Sequence, residues 1–169
     1  MKKLNFKIIL IQFIGIIFLI NGVLQLRFYT AAEKIIYIRK HFKSSQTRGH
    51  DPLFPAEADI FDFWSSIYVW IFLGMLLGIC LISYINWKNK LSALNNIIVA
   101  LCLYIVLRLK FFRRGILSDV FHPFTVTLSD DLAIQFFIEG IIFTFIGSVI
   151  LYVSGYRNLF NFKKNSSKS

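Results

Sequence analysis

The sequence predicts an all-α integral membrane protein: a four-helix bundle with a partly helical, amphipathic first extracytoplasmic loop. Three observations lead there. Of 169 residues, 56% are hydrophobic and only 17% charged, where a soluble domain carries roughly 25% charged residues. The charges crowd into a few stretches, leaving long uncharged runs between them. Four of those runs approach the thickness of the hydrocarbon core, which takes about 20 helical residues to cross. A chain with a mean hydropathy of +0.63 cannot keep that much apolar surface out of water. Helices are required because an unpaired backbone group in hydrocarbon costs several kcal/mol.

The first span is predicted over residues 8–26, IILIQFIGIIFLINGVLQL, which carries no charge and at helical rise reaches about 28 Å. Lys2, Lys3 and Lys7 ahead of it, with Thr30, Ala31 and Ala32 behind, also read as a secretory leader; the run is longer than the roughly 7 to 15 apolar residues of such a leader. In the segment 28–43, Phe28, Ala31, Ala32, Ile35, Ile38 and Phe42 recur at helical spacing, while Glu33, Lys34, Arg39, Lys40 and Lys43 fall mostly elsewhere. That is the pattern of an interfacial amphipathic helix, with an extension of the first span as the alternative. Residues 44–63 hold two prolines, a glycine and four acids and read as an irregular loop, with Asp59 and Asp62 near the positive end of the next helix.

The second span is predicted over 64–85 and the third over 91–112, with only NWKNK between them. Five residues force an antiparallel helical hairpin. The fourth span covers 132–153 and is interrupted by one acid, Glu139. The tail, residues 155–169, is rich in Lys, Asn and Ser, reads as disordered and is placed in the cytoplasm. The whole chain, 1–169, reads as one transmembrane domain, with Trp64, Tyr84, Trp87 and Tyr152 as interfacial anchors.

Four spans put the N-terminus, the NWKNK turn and the C-terminus on one side, with nine basic residues and no acid. The opposite side also has nine basic residues outside the spans, so their density decides the orientation. Both termini are placed in the cytoplasm, in a cell or inner membrane. The net charge of +10 is assigned to lipid headgroups, because the bases flank apolar runs and line no recognition helix; no nucleic-acid partner is expected.

Arg108 and Glu139 are the two ionisable residues inside spans, where an isolated charge costs about 2.5 to 3.5 kcal/mol. Both fall in the outer half, at depths of about 6 and 11 Å. One reading is an intramembrane polar pocket of Arg108 and Glu139 with Gln135, one turn above Glu139, and with Asn21 and Gln25 on a shared face of the first span. The other is structural, with Arg108 snorkelling to the headgroups and Glu139 hydrogen-bonded between helices. Gly74 and Gly78, in GMLLG, and Gly140, Thr144 and Ser148, four residues apart, are expected at close helix contacts. His50, Asp51, Glu57, Asp59 and His122 match no metal-site spacing and read as a solvated loop. Cys80 and Cys102 fall at different depths, about 8 and 16 Å, and read as core thiols. No catalytic constellation or phosphate loop is visible, and no cofactor is expected.

Read from Ile14 to Leu26 as IGIIFLINGVLQL, the first span resembles the opening helix of the DoxX-like (DoxX/MauE) four-helix membrane proteins, where a Phe precedes a small-residue and Gly pair and then Lys-Leu. Phe18, Asn21, Gly22 and Leu26 fit this pattern; Gln25 stands where the family has Lys, and the first loop is longer and more basic. The resemblance covers about a dozen residues and the tight turn. It implies a compact bundle acting as an accessory membrane subunit, in some members linked to quinone-coupled sulfur or amine oxidation, and implies no catalytic residue here.

Three functional classes stay open. The leading one is a non-enzymatic accessory subunit, or a binder of an apolar lipid- or quinone-type ligand, partnered by the bilayer and by another membrane protein or a second copy. The second is an oligomeric pore or membrane-perturbing effector. The third is a membrane enzyme built on His50, His122 and nearby acids.

Overall fold

A computed structural model describes residues 5–41, 57–108 and 116–155, without the side chains of 39–41, 57, 58, 108, 116–120 and 122. Every element among the described residues is helical: α1 Phe6–Thr30, α2 Ala32–His41, α3 Glu57–Lys88, α4 Ala93–Arg108, α5 Ile116–Leu128 and α6 Leu132–Ser154. The helix ends carry local signals. Asn5 accepts from Lys7 N and Ile8 N to start α1, and Asp131 accepts from Ala133 N to start α6, each satisfying N–H groups that a helix leaves without a partner. At the end of α3, Leu91 N donates to Asn86 O and Lys90 N to Trp87 O, the double closure of a Schellman turn. Its left-handed position belongs to Lys90, at φ 51.

Among the described residues three helices are long and apolar enough to cross a membrane: α1, α3 from Asp59, and α6, while α4 contributes a shorter apolar stretch, Ala93–Leu107. α1 is the central element and also the segment with a leader-like basic start. About half of its most apolar window is buried, against 22% for α3 and 28% for α6. α6 runs antiparallel to α1: Gly22 meets Thr144, Gly140 meets Leu26 and Gly147 meets the Gly15 carbonyl. α3 also runs antiparallel to α1, with Gly74 against Ile20 and Gly78 against Ile16. The shared core takes Ile16, Leu19 and Ile20 from α1, Ile82 from α3, Val99 and Leu103 from α4, and Leu151 from α6.

The faces turned away from this core are equally apolar. Phe72, Leu76, Leu101, Ile105 and Phe145 are exposed along α3, α4 and α6. A soluble monomer rarely exposes a contiguous apolar patch beyond a few hundred Å², whereas hydrocarbon accommodates such faces without cost. Length and outward composition together identify a helical integral membrane protein.

Two local expectations change, at the start of α3 and at α5, while α2 is a helix inside the segment 28–43. The helix expected from Trp64 begins at Glu57, so residues 57–63 are its first turns and not loop; Pro52 and Pro55 precede it, and acids in its first turns favour its positive end. α2 follows α1 after a single turn residue, Ala31, and its Ile35, Tyr37 and Ile38 pack toward Leu24, Phe63 and Ile67. α5 was unforeseen: a stretch read as connection is a 13-residue helix containing Pro123. Phe42, the loop 44–56, and residues 109–112 and 156–169 lie outside the described residues.

Candidate functional site

The polar side chains inside this apolar protein gather at its two ends. At the end where α5 and α6 meet, Glu139 is buried at 1% exposure. Thr125, fully buried on α5, donates its hydroxyl to Glu139 Oε1 at 2.9 Å. Below this contact Phe121 and Phe143 meet edge to face with centroids 5.0 Å apart, so α5 lies antiparallel on α6 with a polar and an aromatic attachment. Gln135, one turn earlier on α6, donates Nε2 to Ser129 O at 2.7 Å.

Gln25 Oε1 and Gln135 Oε1 in this half are buried without a hydrogen-bond partner, as is Thr144 Oγ1 at the middle of α6, where that residue meets Gly22. Leaving such a group unpaired costs about 1–3 kcal/mol. Arg27 adds a cation at the end of α1. It donates Nη1 to Thr30 Oγ1 at 3.1 Å, sets its guanidinium 5.5 Å from the Trp70 ring centroid, and keeps Nε buried and unpartnered.

Of the five residues of the sequence-derived pocket, the four whose side chains are described stand in more than one place. Glu139 and Gln135 face α5 and the turn before α6. Asn21 donates to Ile17 O at 2.9 Å and lines a cavity of about 30 Å³ between α1, α3 and α4, with Leu24, Ile71, Leu103 and Leu107. That volume holds about one water. Gln25 is buried one turn from Asn21, and the Arg108 side chain lies outside the described residues. Among the small residues, Gly74, Gly78, Gly140 and Thr144 stand at helix contacts. Ser148 is exposed and donates to Thr144 O at 2.7 Å.

The second polar group joins three helices at the α3–α4 turn. Gln12 Nε2 donates to Asn86 Oδ1 at 2.7 Å, and Asn86 Nδ2 returns to Gln12 Oε1 at 3.3 Å. Asn86 Nδ2 also donates to Asn96 Oδ1, and Asn96 Nδ2 to Ser83 Oγ at 3.1 Å. Sequence reasoning missed this network. Its available signals were a glutamine within an apolar run and an Asn-Asn pair just inside the third span.

Cys80 is exposed and Cys102 half-buried, and both are free, which corrects the expectation of core thiols. Cys80 is two residues beyond Gly78, and Gly74, Gly78 and Ile82 carry the face of α3 turned toward α1; two residues on points away from it. His50 and Asp51 lie outside the described residues, as do the side chains of Glu57 and His122. Among the described residues no group of His, Cys, Asp and Glu is placed to hold a metal.

The chain therefore belongs to the class of α-helical membrane proteins. Compared with protein-family models, with curated proteins and with solved structures, it matches none.

Proposed function

We propose that this protein is a four-span, non-enzymatic membrane component, with both termini in the cytoplasm, that binds an apolar lipid- or quinone-type molecule through its outer half. The fourth span in this reading is α4. Its 16 residues extend about 24 Å, and the direction of its neighbours supports a crossing. α3 ends at the NWKNK turn, and α6 begins at the opposite end, where Phe136 meets Phe28 at 5.5 Å. A crossing by α4 is consistent with this change of ends.

The observation that carries the binding reading is the pair of unpartnered amide oxygens, Gln25 Oε1 and Gln135 Oε1, in the half of the molecule that also buries Glu139. A buried set with oxygens to spare suits a ligand that brings hydroxyl or amine donors on an apolar body. α5, attached chiefly to α6, is the wall such a molecule would displace. An accessory role, which the likeness to the DoxX-like opening helix also implies, follows from a binder with no reacting group.

The test is to purify the protein from membranes and identify co-extracted lipids and quinones by mass spectrometry, for the parent chain and for Gln25→Leu, Glu139→Gln and Arg108→Ala. The expected outcome is a specific co-purifying molecule, reduced at least about fivefold in Gln25→Leu and Glu139→Gln. Gln25→Leu removes an unpaired buried oxygen, so its ligand-free stability is expected not to fall. Unchanged binding and assembly in all three variants would remove this reading.

A further inference from the structure

We infer that the groove at the α3–α4 turn binds the phosphate of an anionic phospholipid headgroup, in the leaflet that the turn faces. The groove is independent of the outer polar group and stands at the opposite end of the bundle. It encloses about 760 Å³ and opens outward, with Ser83, Trp87, Lys88, Lys90 and Asn96 among its walls. That space accommodates a headgroup with its glycerol.

Three features assign the ligand chemistry. The first is charge. Lys88 and Lys90 are exposed on the groove, and every acidic side chain among the described ones stands on α2, in the first turns of α3 or from Asp130 to Glu139, away from the α3–α4 turn. α3 alone separates its acidic start from its basic end by about 48 Å, several Debye lengths at physiological ionic strength. Nothing among the described residues neutralises the two ammonium groups.

The second is the backbone at Lys90. A Schellman turn places its left-handed position where glycine is the ordinary occupant, and here a lysine is held at φ 51. A lysine in this conformation is less favourable than glycine, which points to a use for its side chain. The third is the polar floor and apolar rim. Asn86 and Asn96 are paired with Gln12 and Ser83, so they hold the walls rigid. Ser83 Oγ accepts from Asn96 and still has its own hydrogen to donate to an incoming oxygen. Trp87, 79% exposed, and Leu91 border the groove at the level where an indole meets headgroups. A lipid is favoured over free phosphate because this rim adjoins the apolar outer faces of α3 and α4.

The experiment uses the full chain in mild detergent, offered phosphatidylglycerol and phosphatidylcholine with identical acyl chains, with bound lipid counted by native mass spectrometry. The parent protein is expected to retain phosphatidylglycerol preferentially. The preference is expected to drop about tenfold in K88Q/K90G and to persist in K163Q/K164Q, which removes the same charge from the tail. Glycine suits the left-handed position at least as well as lysine, so K90G alone is expected to melt no lower than the parent while losing part of the preference. Equal retention of the two lipids, an unchanged preference in K88Q/K90G, or an equal loss in K163Q/K164Q would overturn the inference. Complete displacement of the lipid by millimolar inorganic phosphate would overturn the assignment to a lipid.

Discussion

At the scale of single residues, glycines decide how closely α1 and α6 approach, and what opposes each one ranks their importance. A Cβ added at Gly147 would lie 2.8 Å from the Gly15 carbonyl and 2.8 Å from Leu19 N, and one at Gly22 would lie 2.6 Å from Thr144 N. Backbone cannot yield without moving a whole helix. A Cβ at Gly15 would meet the end of the Leu151 side chain, and one at Gly78 the Ile16 side chain. Gly147→Ala and Gly22→Ala are therefore expected to cost about 2–3 kcal/mol, and Gly15→Ala and Gly78→Ala about 1 kcal/mol. Melting temperatures in detergent check the ordering; a lower melting temperature for Gly78→Ala than for Gly147→Ala would contradict it. The GMLLG pair was legible in the sequence because its spacing matches the helix repeat. Its partners were not, since naming Ile16 and Ile20 requires the register between α3 and α1.

Among the elements, those whose stability comes from their own composition were legible and those held by distant contacts were not. α1, α3 and α6 declare themselves by uncharged length, and α2 by the spacing of Ile35 and Ile38. α5 does not, because Asp119, His122 and Pro123 interrupt its apolar residues, and a proline inside a helix removes a hydrogen bond and crowds the preceding turn. It is held instead by Thr125 on Glu139 and Phe121 on Phe143. Thr125→Val keeps the shape and removes the donor. Amide exchange over 116–128 is expected to quicken about tenfold, with α1 and the second half of α6 unchanged; uniform quickening across all helices would show that α5 is no separate unit. The amide network was hidden for a related reason: Gln12 and Asn86 are 74 positions apart, and only the assembled bundle makes them neighbours.

For the whole molecule, the direction of each helix fixes where the ends lie. Gln12, near the start of α1, bonds to Asn86 at the end of α3, and a Cβ on Gly155, just past α6, would touch Asn89. The start of α1, the α3–α4 turn and the end of α6 therefore share one end of the bundle, which supports the proposed even number of crossings. Among the described residues three helices have full spanning length, so in the four-span proposal the shorter α4 supplies the remaining crossing. Reporter tags at the two termini, probed with a membrane-impermeant reagent before and after the membrane is opened, measure this directly. Both tags are expected to be protected in intact cells and to become reactive together; one reactive and one protected tag would mean an odd number of crossings and contradict the four-span bundle.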